Sequence, residues 1–178
     1  MATTENLPVP VAVAMPSRVG QATAIEQQRA AAEVYAAVMV AQQMPRDETR
    51  AIVKMRAGCA RPQLAERAFF RYTRGEGPVT GPTIQLAREL ARCWGNVSYQ
   101  VAELRRDDDR RESEMMAWAW DLETNTRSST VFVVPHVRDT KKGRKPIEDV
   151  RDVYENNANM GARRLRECLF AVLPAWYA

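Results

Sequence analysis

Between Trp94 and Val97 the hydrophobic period of this chain changes from about 3.6 residues to about 2, and that switch limits the folds open to it. Upstream, Ile84, Ala87, Ala91 and Trp94 recur at helical spacing as a buried face, with Gln85, Arg88, Glu89 and Arg92 left wet. Gly95 and Asn96 end that helix. Downstream, Val97, Tyr99 and Val101 alternate with Ser98 and Gln100, as in a half-buried strand. Beyond a charged loop over 105–111, Met116, Trp118 and Trp120 alternate with Met115, Ala117 and Ala119, and residues 122–125 turn the chain into a further run over 127–134. The pattern predicts a β-meander of three strands.

The flanking segments read as helices. An Ala-rich stretch over 24–43 carries Ile25, Val34, Val38 and Met39 and ends before Pro45. Residues 46–58 begin a second helix capped by Asp47, and 62–68 form a short turn. Residues 69–74 have strand composition, and 75–82 read as a turn leading into the helix, with Pro82 near its first position. The last helix places Tyr154, Ala158, Gly161, Ala162, Leu165, Leu169 and Val172 on one side, and Asn156, Asn159, Arg163 and Arg166 on another. Its small residues allow it to lie close on the sheet. The expected class is α+β: an antiparallel β-β-β-α core packed on a long C-terminal helix, preceded by N-terminal helices. Residues 1–23, with no sustained period, are expected to be a disordered arm, and 24–178 one domain with its core at about 65–175.

Charge is distributed unevenly. The formal net charge is +4, and residues 138–166 alone hold nine Lys/Arg against five Asp/Glu, a difference that equals the whole excess. A strand-like run into Lys141, Lys142, Arg144 and Lys145, followed by a helix bearing Arg163, Arg164 and Arg166, describes a grip for a polyanion, with nucleic acid the leading partner. Cys59, Cys93 and Cys168 are widely spaced, with no C-x-x-C pair and one histidine, His136, which argues against structural zinc and a disulfide framework. The apolar run 7–15 is broken by Pro8 and Pro10 and is too short for a bilayer, so secretion and membrane association are not expected and a reducing cytosol is.

Three stretches together resemble a known group: 79–96 (Val-Thr-Gly-Pro-Thr-Ile-Gln-Leu-Ala-Arg-Glu-Leu-Ala-Arg-Cys-Trp-Gly-Asn), 118–127 (Trp-Ala-Trp-Asp-Leu-Glu-Thr-Asn-Thr-Arg) and 154–166 (Tyr-Glu-Asn-Asn-Ala-Asn-Met-Gly-Ala-Arg-Arg-Leu-Arg). In this order they resemble the phage single-strand annealing proteins of the Rad fifty-two, Erf and RecT type, over roughly residues 65–175. The resemblance implies ATP-independent binding of single-stranded DNA and annealing of complementary strands in phage recombination, with no bond chemistry and no cofactor. It implies a homo-oligomer, as ring or helical filament, in the cytoplasm of a bacterial host. Single-stranded DNA and an annealed duplex intermediate are the implied ligands, with a phage exonuclease or host single-strand binding protein as further partners. In the eukaryotic members a Gly-x-Lys-Arg stretch supplies groove cations; Gly161-Ala-Arg-Arg164 matches it, so the role passes to Arg163 and Arg164, with Arg166 added by helical spacing. Basic residues before the first core helix point by position to Arg71 and Arg74. Many phage members continue past the final helix, whereas this sequence stops at Ala178; a tail that recruits a host single-strand binding protein is then missing, or the sequence is a truncated piece.

Other readings stand beside this one. Arg163, Arg164 and Arg166 cannot all share one helix face, so at least one is expected to pair with Glu155, Glu167 or a neighbouring subunit. Trp118, Trp120 and Tyr99 could stack on bases, but alternation within strands favours a core or subunit interface; Tyr72 is the better stacking candidate. The acidic run 107–109 with Glu112 and Glu114, or Asp121 with Glu123, would suit a metal-dependent nuclease of the same pathway. Flanking arginines make a charged loop tip the simpler explanation, and His136 reads as structural. A basic scaffold for acidic protein partners is the third alternative.

Overall fold

The computed structural model describes residues 20–74, 77–140 and 143–178. The arm expected over 1–23 lies outside the described residues as far as position 19, while Gln21, Ala22 and Thr23 open the first helix. The described residues divide into two compact units, 20–37 and 38–178. Helix α1 (Gln21–Gln43) leaves Ile25, Val34 and Tyr35 exposed, because its apolar positions scatter around the helix instead of forming one stripe.

In the larger unit, α2 (Glu48–Cys59) starts where the Asp47 carboxylate accepts the Arg50 N–H, as its sequence predicts. The short α3 (Pro62–Ala65) leads into β1 (Phe69–Arg74), which pairs antiparallel with β2 (Gly77–Pro82). The turn expected over 75–82 is therefore largely a strand; Gly75 and Glu76 lie outside the described residues. Gly81 and two prolines would weaken an interior strand, but β2 belongs to a two-stranded sheet, where missing N–H groups are tolerated. The Phe70 ring covers Gly81, its cross-strand partner: a Cβ at position 81 would lie 2.8 Å from Phe70 Cζ. Pro82 ends this strand, and Thr83 is the cap of α4 (Ile84–Trp94). That helix buries Leu86, Leu90 and Cys93 besides Ala87, Ala91 and Trp94, because α2 packs on one side of it and the final helix on the other.

The meander is β3 (Val97–Asp107), β4 (Glu112–Asp121) and β5 (Thr126–Pro135), antiparallel in that spatial order. Its strands reach further into the charged stretch than expected, with Arg105 opposite Glu114 and Asp107 opposite Glu112, after a bulge between Glu103 and Arg105. The basic segment after it forms a second hairpin, β6 (Val137–Thr140) with β7 (Gly143–Pro146). Asp149 then caps α5 (Val150–Val172), its carboxylate accepting the N–H groups of Arg151 and Asp152. The architecture is α+β, with N-terminal helices and a three-stranded antiparallel sheet packed against the long C-terminal helix. No described helix is long and apolar enough to cross a membrane.

The core lies between α4, α5 and one face of the sheet. Met115, Ala117 and Ala119 are that face; Ala87, Ala91, Leu165 and Leu169 close over the two alanines. Met116, Trp118 and Trp120 lie on the opposite, uncovered face, half-buried, and the Arg127 guanidinium lies 5.6 Å and 5.7 Å from the two indole centres. The tryptophans are thus not in the core. Small residues won the covered face because α5 comes close: a Cβ on Gly161 would sit 2.5 Å from Val101 Cγ1. The buried stripe of α5 is shifted from the predicted one, with Val153, Asn157 and Cys168 inward and Tyr154 57% exposed. Gly161→Ala is expected to destabilise by about 1–3 kcal/mol through overpacking, measured as a lower urea midpoint. An unchanged midpoint would show that α5 does not depend on this close approach.

Candidate nucleic-acid interface

A groove of about 870 Å³ runs between the β1–β2 hairpin, the first turn of α4, the β6–β7 hairpin and the outer side of α5. Among the described residues that line it, three are Arg144, Arg163 and Arg166, and none is Asp or Glu. Its long wall follows from the pattern of α5: Asn156, Asn159, Arg163 and Arg166 fall on the side turned away from the core. Its far wall is Phe70 and Tyr72, two residues apart on β1 and therefore on the same face of that hairpin.

The geometry fixes one cation and leaves another open. Arg166 Nη1 donates to the Pro82 carbonyl at 3.2 Å, and its guanidinium lies 5.1 Å from the Phe70 ring centre. Phe70 in turn stacks with Tyr72 at 5.8 Å. Arg163 is exposed, and the contact shown for it is with the Met160 sulfur at 3.9 Å; it has no carboxylate partner among the described residues. Thr83, Ile84 and Gln85 bring the N-terminus of α4 to the same groove, where the positive end of the helix dipole favours an anion.

The remaining predicted contacts spread around this groove. Arg164 turns aside: its Nη1 bonds Glu167 Oε2 at 3.0 Å and its guanidinium lies 5.9 Å from the Phe132 ring. It is the member of the arginine trio that takes the expected carboxylate. Arg71 is exposed, and strand alternation puts it on the opposite face of the hairpin from Phe70 and Tyr72. Arg74 ends β1 opposite Gly77, and its side chain lies outside the described residues, as do Lys141 and Lys142. Lys145 is exposed on β7, opposite Arg138. Sequence reasoning did not single out Phe70, Thr83, Gln85, Asn156 and Asn159 for this site. The spacing that places Asn156 and Asn159 with Arg163 and Arg166 is the signal that finds two of them.

Four of the carboxylates weighed as metal ligands, Asp107, Asp108, Asp121 and Glu123, are paired with arginines. Arg46 reaches across from the α1–α2 connection, with Nη1 2.8 Å from Asp121 Oδ2, Nη2 on Asp121 Oδ1, and Nε 2.9 Å from Glu123 Oε1. Trp94 Nε1 donates to Asp121 at 3.2 Å, and the Arg46 guanidinium stacks 4.6 Å from the Trp94 ring. The Arg46 and Asp121 side chains are only 6% and 2% exposed. Burial works to raise the Glu123 pKa, but hydrogen bonds from Asn96 and from Arg46 outweigh it and hold the carboxyl below its ordinary value. At the β3–β4 turn, Asp107 pairs with Arg105 and Asp108 with Arg106. Among the described residues no three His, Cys, Asp or Glu side chains cluster as metal ligands would.

His136 is buried, with Nε2 2.9 Å from Ser113 Oγ, which also accepts from Asn157 at 2.9 Å. Ser113 has no exposed surface, so this pair joins β4 to the start of β6, with Asn157 adding α5, and is closed to a bound substrate. The three cysteines are free, and burial pushes each thiol up, which makes them poor nucleophiles. Compared with known proteins, the chain matches no family model, no curated protein and no solved structure.

Arg46→Ala is expected to cost about 3–5 kcal/mol, since it leaves the Asp121 carboxylate buried and unpaired. Because the folded pKa of Glu123 lies below its ordinary value of 4.5, the clasp adds stability above that pH and loses it as pH falls through the folded value. Denaturation midpoints followed downward from pH 5 should therefore fall less steeply in Glu123→Gln than in wild type; parallel curves would show that Glu123 contributes nothing to acid sensitivity.

Proposed function

We propose that this protein binds single-stranded DNA in the α5 groove and anneals complementary strands without ATP. The observation that carries the reading is a groove whose described lining holds three arginines and no carboxylate, with an aromatic pair on its far wall. Phosphates supply affinity without sequence information, and aromatic faces accept any base. Annealing is opposed chiefly by repulsion between two phosphate backbones, and a row of such grooves across adjacent copies would lower it. The proposed assembly is a head-to-tail homo-oligomer, which closes as a ring or extends as a filament according to the rotation between copies. The resemblance to the phage annealing proteins supports the same activity, and with it a role in recombination inside a bacterial host cell.

The test combines annealing of two fluorophore-labelled complementary oligonucleotides, without nucleotide cofactor, with binding titrations at several salt concentrations. Wild type should accelerate pairing. Arg163→Ala with Arg166→Ala should weaken binding by at least about tenfold, taking a charged hydrogen bond at its lower strength. The slope of log affinity against log salt should flatten by about 0.7 for each phosphate that the variant no longer neutralises. Arg164→Ala, off the groove and paired with Glu167, should leave affinity and slope nearly unchanged. Equal effects of all three arginines would remove the groove from the account, and magnesium-dependent loss of the labelled strands would replace annealing with nuclease action.

A further inference from the structure

A track for phosphates alone needs cations on an open surface, and this groove holds more than that. Its 870 Å³ falls within the range of about 300–1,000 Å³ typical of sites that enclose a ligand. The long wall between Asn156 and Arg166 follows about 15 Å of helix axis, enough for a few nucleotides. Along it, charge and neutral polarity are separated: Arg163 and Arg166 lie toward the β1–β2 end, and Asn156, which donates to the Pro135 carbonyl, marks the other end.

Between these ends are groups suited to a base. Tyr72 is 49% exposed although its ring stacks on Phe70, so aromatic surface remains open at the groove. Phe70 itself is engaged by Gly81 and by the Arg166 guanidinium, which together hold the ring pair in place. Gln85, at the first turn of α4, and Asn159, on α5, line the groove from two elements, and neither amide is engaged by another described residue. An amide offers both donor and acceptor, so it can meet any base edge without selecting one.

Resting on the proposed single-strand binding, we infer that the groove seats one unstacked nucleobase: Tyr72 stacks on its face, Gln85 and Asn159 bond its edge, and Arg163 and Arg166 hold the flanking phosphates. A base in a duplex is stacked and paired, and turning it out costs energy that a single strand does not have to supply. The groove therefore favours single strands over the duplex product, and pairing competes with the groove for the seated base. Annealing would then release the strand from this subsite.

The experiment compares an oligothymidine with a sugar-phosphate strand of equal length that lacks bases, titrated into wild type and Tyr72→Ala at one salt concentration. Wild type should bind the thymidine strand about tenfold more tightly, the lower range of a stacked base, and Tyr72→Ala should lose that preference while keeping its affinity for the baseless strand. Equal binding of both strands by wild type would overturn the base seat while leaving backbone binding in place. A preference that survives Tyr72→Ala would move the base elsewhere and overturn it too. No binding of either strand would overturn the underlying single-strand reading and this inference with it.

Discussion

The close contact between α5 and the sheet determines where Arg163, Arg164 and Arg166 lie. Ala117 and Ala119 present a nearly flat surface, and Gly161 lets the helix backbone reach Val101. With that face of α5 committed to the core, Arg163 and Arg166 must point toward the β1–β2 hairpin and α4, while Arg164 must point away. A larger residue on the covered face would lift the helix and separate the arginines from the aromatic wall. The groove is thus a by-product of core packing, and Arg163 and Arg166 are positioned by a helix whose opposite side is buried over most of its length.

Two further contacts hold the frame around that helix. The Arg46 clasp fastens the segment between α1 and α2 to the β4–β5 turn, and Trp94 joins it to the chain end, where Tyr177 packs on its ring at 4.6 Å and donates to the Leu90 carbonyl. A buried ion pair seldom adds much net stability over well-packed apolar residues, but removing one partner is costly, so this arrangement fixes geometry more than it adds energy. The Ser113–His136–Asn157 cluster ties α5 to β4 and to the start of β6 in the same manner. Asn157 Oδ1 has no partner among the described residues.

Much of this was legible in the sequence because period and capping are local. The helix over 48–59 announces itself through Asp47, the meander through strict alternation, and α5 through spacing that separates Asn156, Asn159, Arg163 and Arg166 from Leu165 and Leu169. What failed to show was set by partners distant in the chain. Alternation divides Trp118 from Ala117 but cannot say which face the helix covers; the glycine of α5 decides that. β2 reads as a turn because its prolines and glycine are judged alone, whereas Phe70 across the hairpin completes it. Arg46 carried no local mark at all, since Asp121 and Glu123 lie 75 and 77 residues away. The aromatic wall of the groove was half visible: Tyr72 stood out beside Arg71 and Arg74, while Phe70 gained its meaning only once Arg166 was placed over it.

The central claim, that the α5 groove is where a single strand lies, is tested most directly by mapping contacts on the wild-type protein. A single-stranded oligonucleotide carrying photoreactive 4-thiothymidine would be crosslinked at low salt, and the modified peptides identified by mass spectrometry. The account predicts crosslinks on β1 around Tyr72 and on α5 between Asn156 and Arg166, suppressed by excess unlabelled single strand. Crosslinks concentrated instead on the uncovered sheet face, at Trp118, Trp120 and Arg127, with none in the groove, would contradict it.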